Sequence, residues 1–502
     1  MLTIKNLSIK DNVFDYEMIH NLNFTLQEND KIAIIGSEGT GKSTLLKLLA
    51  GFPLNYIDYE GEVICHTKIV YVDQNISNRW NLYTLYEYFY KQDDIFRIQA
   101  DLRKTLALFA LDYNTIIDRH INTLSGGEKV KCALALAIAR KPDILLLDEP
   151  SNDLDFQTIE FLENFMNHTQ IPLFFISHDQ RLLDNVANGI IHLQHVHKQM
   201  LCKTFVYRGK YKDYKNLYFR KYESDLQIAR KQRSDYQAKM KKFRQIYQKV
   251  EYQQNQAVRN PELARLLKKK IKSLKSQESR FLKEKETWID IPELEEPMHI
   301  FFDGESKINH KKRIIEIDIN HFLLPNHNTI ERIYLNLRGN EACVIYGQNG
   351  VGKSTLIKAI IKYLDRQGIH YAYIPQDYME LLERGMSAIE YLNKNQSKYP
   401  DYRIRQILGQ LGFKRDEMEA KCEDLSEGQK LKILLLLMVS IESEIIILDE
   451  PTRNISPINQ DEIYDLFLQY QGAILAVSHD RLFIESVFDR IFELREDALV
   501  EI

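Results

Sequence analysis

Four motifs occur twice in this chain, in the same order and at matching distances, and that repetition limits the fold more than any other feature. GSEGTGKST runs from Gly36 to Thr44, and GQNGVGKST from Gly347 to Thr355. LSGGE (Leu124 to Glu128) is matched by LSEGQ (Leu425 to Gln429), and ILLLDEPS (Ile144 to Ser151) by IIILDEPT (Ile445 to Thr452). ISHDQRL (Ile176 to Leu182) is matched by VSHDRLF (Val477 to Phe483). In each half the signature serine precedes the glutamate by 24 positions, and the glutamate precedes the histidine by 29. The chain therefore reads as two copies of one domain. They differ mainly between the glycine-rich loop and a downstream glutamine, with 32 positions from Lys42 to Gln74 and 23 from Lys353 to Gln376. That difference reads as a longer loop near Pro53 to Gly61, not as a change of fold.

Each motif has a physical role. GxxxxGK[ST] is a phosphate cradle, in which glycines (Gly36, Gly39, Gly41; Gly347, Gly350, Gly352) let backbone N–H groups converge on phosphate at a helix N-terminus. Lys42 and Lys353 reach the outer phosphates, Ser43 and Ser354 offer a hydroxyl to Mg²⁺, and Thr44 and Thr355 complete the loops. The strand-like runs KIAIIG and ACVIYG before the loops, and leucine-periodic segments after them, supply the expected context. ILLLDE and IIILDE are continuous aliphatic runs, as expected of parallel strands buried on both faces. Each ends in two acids. Asp148 and Asp449 are expected to hold Mg²⁺ through water, and Glu149 and Glu450 to polarise the water that attacks the γ-phosphate. Gln74 and Gln376 complete the metal and water shell, and His178 and His479 orient the attacking water. LSGGE and LSEGQ open helices whose N-termini form a second anion site at Ser125, Gly126, Gly127, Ser426 and Gly428.

These motifs resemble the ATP-binding cassette superfamily over nearly the whole chain apart from its middle. The resemblance implies an α/β fold with two P-loop cassettes packed head to tail within one monomer. ATP on Lys42 is then capped by Ser426 and Gly428, and ATP on Lys353 by Ser125 and Gly127. Adenine is expected on an aromatic upstream of each cradle, Phe14 (or Tyr16) in the first half and Phe322 in the second, although each is equally explained as an ordinary core residue.

The middle reads differently. Tyr214 to Asp290 holds 21 Lys plus Arg and 9 Asp plus Glu, a net of +12 in a chain of net −4, which leaves −16 elsewhere. It has no glycine and one proline, so two long helices are expected. Seams run through Leu226, Ala229, Arg233, Tyr236, Met240, Phe243, Tyr247 and Val250, and through Ala264, Leu267, Ile271, Leu274, Glu278, Phe281, Lys285 and Trp288. Asn260-Pro261 starts the second helix, which puts the hairpin tip at Tyr252, Gln253, Gln254, Asn255, Gln256, Val258 and Arg259. The pairing expected from that tip sets Phe243 against Leu267 and Arg233 against Glu278. A helix of roughly 38 residues is more than 50 Å long at about 1.5 Å per residue. The domains are read as cassette one over 1–210, hairpin over 211–292 and cassette two over 293–502.

Two cassettes separated by a basic hairpin resemble the ABC-F family of ribosome-binding ATPases. LSEGQ, the loop TRNISP (Thr452 to Pro457) where the first half has SNDLD, and the missing room for an extra arm in cassette one are similar to its antibiotic-resistance branch. The resemblance implies an ATPase that enters the ribosomal exit site, contacts large-subunit rRNA and peptidyl-site tRNA, and uses the hairpin tip to dislodge drugs near the peptidyl-transferase centre. A housekeeping factor for stalled ribosomes, or the ATPase subunit of a transporter, remains open. No apolar run approaches the roughly 20 residues of a membrane span, and the N-terminus lacks a signal-peptide core. Five dispersed cysteines with no CxxC pair argue against zinc or disulfides and for the cytoplasm.

Overall fold

The aliphatic runs flanking the motifs become the two central sheets of an α/β protein. The computed structural model describes residues 2–12, 16–73, 80, 82–92, 95–152, 154–196, 201–256, 261–286, 288, 300, 312–324, 329–395, 399–441, 443–453 and 455–502. The chain divides into two compact units, one formed by residues 1–211 with 295–502 and the other by Lys212–Leu294.

In the first unit, one six-stranded sheet has the order Ile69–Val72, Ile144–Leu147, Leu173–Ile176, Lys31–Ile35, Gly189–Val196, Leu201–Arg208. The other repeats it with Tyr371–Ile374, Ile445–Asp449, Ala473–Val477, Ala342–Tyr346, Arg490–Leu494, Leu499–Glu501. Within each sheet all neighbours are parallel except the last pair. All four residues of Ile144–Leu147 are buried, as are all five of Ile445–Asp449, which is why these strands show no polar alternation. The acids that follow them therefore emerge at the C-terminal edge, beside the helices Lys42–Leu49 and Lys353–Gln367 that leave the phosphate loops.

A small antiparallel sheet accompanies each half: Tyr16–Thr25, Leu2–Asp11 and Ile57–Cys65 in the first, and Arg313–Leu323 with Thr329–Arg338 in the second. The extra length of the first half is thus a strand, where the sequence suggests only a loop. Gly61 explains the disguise. It has φ 104°, and a Cβ there would lie 2.5 Å from the Asn6 carbonyl oxygen. Next to it the pairing with Leu2–Asp11 slips between Lys5 and Ser8, a bulge that interrupts the period-two pattern.

The second unit is a helical hairpin, Tyr211–Gln256 and Pro261–Glu286. Phe243, Val250, Leu267 and Leu274 are buried in its seam, with Met240, Tyr247, Ile271 and Phe281 packed against them. Its register differs from the sequence expectation. Phe243 meets Phe281 with ring centroids 6.4 Å apart, Tyr236 meets Trp288 at 5.1 Å, and Lys239 pairs with Glu284 at 2.8 Å. Paired numbers add to 523 or 524, not 511, so Phe243 does not face Leu267. Arg233 likewise lies over Trp288 at 5.8 Å and bonds the Ala229 carbonyl at 3.1 Å, not Glu278. Tyr252–Gln256, expected in the tip, is helical and extends the first helix. Asn260, disfavoured as helix by the following proline, lies with Val258 and Arg259 outside the described residues.

This register predicts that Lys239→Glu and Glu284→Lys couple by about 0.5 kcal/mol in a double-mutant cycle, the scale of an exposed ion pair. Arg233→Glu and Glu278→Arg should couple by nearly zero. Urea unfolding followed by Trp288 fluorescence in a Trp80→Phe background measures both.

Candidate active site

Each acid pair sits where a buried strand ends in a strained turn. Glu149 has φ 47° and Glu450 φ 53°, left-handed values that cost a non-glycine residue of order 1–3 kcal/mol and collect at functional sites. The kink lets the two neighbouring acids serve different surroundings. The aspartate stays by the cradle serine, and the glutamate turns toward the cleft.

In the first cassette the Ser43 hydroxyl donates to Asp148 Oδ1 at 3.0 Å, and Tyr71 donates to Oδ2 at 2.7 Å. Burial nevertheless pushes the Asp148 carboxyl above its usual range, with those two hydrogen bonds opposing it. Lys42 Nζ donates to the carbonyls of Gly36 (2.8 Å) and Ser37 (2.7 Å), which holds the ammonium against its loop. Gly36 must lack a side chain, because a Cβ would lie 2.2 Å from the Leu193 carbonyl oxygen. His178 Nε2 is 3.5 Å from Glu149 Oε1. Burial raises the Glu149 carboxyl, but His178, Lys42 and Arg453 outweigh it and hold it below the ordinary value. A cavity of about 530 Å³ is lined by Tyr16, Gly39, Gly41, Lys42, Ser43, Thr44, Glu149 and His178, among others.

The second cassette repeats the arrangement. Lys353 Nζ donates to Gly347 O (2.7 Å), Gln348 O (3.1 Å) and Asn349 Oδ1 (3.3 Å). Burial raises Asp449, opposed first by its hydrogen bond from Ser354. Glu450 is raised by burial despite the nearby Lys353, and His479 is lowered to about 3, chiefly by burial. The cavity here, about 710 Å³, gathers Gly350, Gly352, Lys353, Ser354, Thr355, Gln376, Asp449, Glu450 and His479 together with Gly126 and Lys129 of the first cassette. The N-terminus of the first signature helix thus faces the second phosphate loop.

The signature serines act as helix caps: Ser125 Oγ accepts from Glu128 N at 3.2 Å, and Ser426 Oγ from Gln429 N at 3.3 Å. Ser125, Gly127, Ser426 and Gly428 line neither cavity among the described residues. Gly127 has a packing role as well, since a Cβ there would lie 2.4 Å from Thr158 Oγ1. Gln74 and Phe14 fall outside the described residues. Of the aromatic pair proposed upstream of the first cradle, Tyr16 reaches the cleft and donates to the Gly39 carbonyl at 3.2 Å. Phe322 packs against the core, and Leu324 lines the second cavity in its place.

The cassettes are tied through these same motifs. Arg481 bonds Glu163 at 3.0 Å and Asp179 at 3.3 Å, and Gln180 bonds Asp461 at 3.2 Å. His178 is gripped twice: its Nδ1 donates to Ile455 O at 3.0 Å, and its own carbonyl accepts from Gln460 Nε2 at 2.9 Å. A carbonyl can only accept, so Nδ1 carries the hydrogen and Nε2 is left toward Glu149. Tyr71 escaped the motif reading, yet the sequence carries a signal for it. Tyr71 and Tyr373 each stand three residues before the motif glutamine, and the nearby Asp449 is among the groups that raise Tyr373.

One consequence concerns pH. His479 titrates near 6.5 when unfolded and about 3 when folded, so between those values the unfolded chain binds the extra proton and acid favours unfolding, by up to about 1.4 kcal/mol per pH unit. Burial and Lys353 depress it and Asp155 opposes. Glu450, raised by burial, works in the opposite direction over an overlapping range, so the test compares wild type with His479→Gln. From pH 6.5 to 5 the wild type should lose more Tm than the variant.

The family described as "ABC transporter" matches residues 19–152 and 330–453, just over half of the chain. "ATP-binding protein Uup" of Buchnera aphidicola (strain APS) is 27% identical, with 100% of this chain and 81% of that protein covered. "Ribosome protection protein VmlR" of Bacillus subtilis is 27% identical, with 97% and 85% covered. Among solved structures, an archaeal ribosome recycling factor, aABCE1, in complex with the stalk protein aP1 shares the fold, with TM-score 0.62, 16% identity, and 98% and 89% coverage. No helix among the described residues is long and apolar enough to cross a membrane. The chain belongs to the ATP-binding-cassette family of ATPases, carries two cassettes in tandem, and is homologous to the ABC-F proteins, Uup and VmlR.

Proposed function

We propose that this ATPase is a ribosome-protection factor: with ATP bound it enters the ribosomal exit site, and its hairpin displaces antibiotic from the peptidyl-transferase region. The observation that carries this reading is the net +12 of Tyr214 to Asp290 against −16 for the remainder. A concentrated cationic prong suits an RNA backbone, where phosphate contacts supply affinity without sequence information. The likeness to VmlR over 97% of the chain supports it.

The ATP sites provide the timing. The donors near each cradle are hard oxygens, the Ser43 hydroxyl 3.0 Å from Asp148 and Ser354 bonded to Asp449, a set that suits Mg²⁺. Bound there, Mg²⁺ offsets charge on the β- and γ-phosphate oxygens. Ser43, Ser354, Asp148, Asp449 and Gln376 would hold it, with Gln74 added from the sequence motif. Lys42 and Lys353 position the γ-phosphate. Glu149 and Glu450 accept a proton from the attacking water, which His178 and His479 orient, and hydrolysis ends the closed state that ATP favours. At the second site the helix N-terminus at Gly126 supplies anion-binding N–H groups from the opposite cassette.

A housekeeping role on stalled ribosomes is the second reading. Drug-susceptibility tests in a sensitive host separate them. Protection predicts raised tolerance to at least one peptidyl-transferase inhibitor, and no change for any of them would overturn the protection reading.

Glu149→Gln combined with Glu450→Gln should cut hydrolysis by about 10²- to 10⁴-fold, keep ATP binding, and hold the protein on ribosomes during sedimentation with ATP. Continued release of this variant would contradict the assignment. Replacing Lys268, Lys269 and Lys270 by Gln should weaken ribosome binding and flatten its salt dependence, while ATP hydrolysis without ribosomes stays unchanged.

A further inference from the structure

The cavity at Lys42 contains one described residue from the other cassette, Arg453. It belongs to the loop after Glu450, where the two halves differ in sequence: TRNISP from Thr452 to Pro457, against SNDLD from Ser151 to Asp155. The equivalent of Arg453 in the first half is Asn152, which is neutral. We propose that Arg453 acts in trans on the ATP held by Lys42, supplying positive charge from the second cassette to the first cassette's catalytic site. This rests on the reading of Lys42 and Glu149 as that site's phosphate lysine and base.

The loop is built to hold such a group in place. It starts from the left-handed turn at Glu450, where Arg453 N donates to the Glu450 carbonyl at 3.4 Å. Thr452, Ile455, Ser456 and Ile458 are buried, and Asn459 N donates to Ser456 O at 2.9 Å. Its far end grips His178 through Ile455 O and Gln460 Nε2. The contacts that hold His178 and the Arg453 side chain therefore come from one segment of the second cassette. Arg453 also borders the Lys353 cavity, but the grip on the histidine is one-sided. His479, the counterpart in the second site, has neither ring nitrogen hydrogen-bonded and instead has the Phe156 ring at 6.1 Å. The charge of Arg453 is also among those that hold Glu149 ionised.

The chemistry needs a cation at this place. As water adds to the γ-phosphorus, Glu149 takes its proton, the bond to the bridging oxygen breaks, and ADP leaves with that oxygen while phosphate forms. Negative charge shifts toward the bridging and equatorial oxygens during this step. An arginine fixed in the opposite cassette stabilises that charge better than the ground state, and it does so only when the halves are together. Arg453 would thereby make first-site turnover depend on the second cassette.

The test measures ATP turnover in a Glu450→Gln parent, which reports the Lys42 site. Arg453→Ala and Arg453→Asn should each lower kcat by about 10²- to 10³-fold, with KM changed less than about threefold, and Arg453→Lys should recover part of the loss. Retention of ADP with orthovanadate should fall in parallel, while binding of a non-hydrolysable ATP analogue should not. Where the parent turns over too slowly to follow, orthovanadate retention by the wild-type glutamates decides the question. Unchanged kcat and unchanged retention would overturn the proposal, as would a loss confined to analogue binding. Undiminished first-site turnover in Glu149→Gln with Arg453 intact would instead strike the underlying site reading, so the two failures can be told apart.

Discussion

Charge held out of water is the constraint on which the rest of this molecule depends. Lys353, Asp449, Glu450 and His479 converge in one cleft, and burial pushes each away from its charged form. Glu450 Oε1 and both ring nitrogens of His479 are buried without a hydrogen bond, each at a cost of about 1–3 kcal/mol. A fold selected only for stability would fill such a place with apolar side chains. The cleft makes sense as half of a binding reaction, in which a polyphosphate and its cation complete the hydrogen bonds and charges that the protein leaves open. The other half comes from across the interface, where Gly126 and Lys129 reach the Lys353 site and Asp155 contributes its field to Lys353 and His479.

Much of this was legible because phosphate chemistry needs fixed residue types at fixed spacing. The phosphate loops, the paired acids and the histidines stand around two clefts as their repeated spacing implies, and the buried strands follow from their aliphatic runs. The hairpin register was not legible. Its seams repeat with a heptad-like period, and the observed pairing differs from the expected one by 13 positions, close to two heptads. Both registers therefore bury nearly the same residues, and the heptad pattern alone does not decide between them. Tyr252–Gln256 carries no signal strong enough to stop a helix. The strand Ile57–Cys65 was hidden by Gly61 and its bulge. Tyr71 was missed because it contributes a single hydrogen bond to Asp148, too little to mark a motif except through its repeat at Tyr373.

The distribution of charge gives the two units different relations to a polyanion. Net −4 conceals +12 in the hairpin segment and −16 in the remainder. At physiological ionic strength the Debye length is about 8 Å, whereas the 46-residue helix Tyr211–Gln256 is roughly 70 Å long at 1.5 Å per residue. Charges along that helix are therefore screened from one another over most of its length, and under the proposed function an RNA surface would attract the hairpin segment and repel the remainder. Affinity and timing then reside in different parts of the chain. The hairpin's charge is constant, so under the proposed function regulation must come from the geometry of the cassettes. A loop that joins Glu450, Arg453 and the grip on His178 is one continuous path by which one ATP site can set the state of the other.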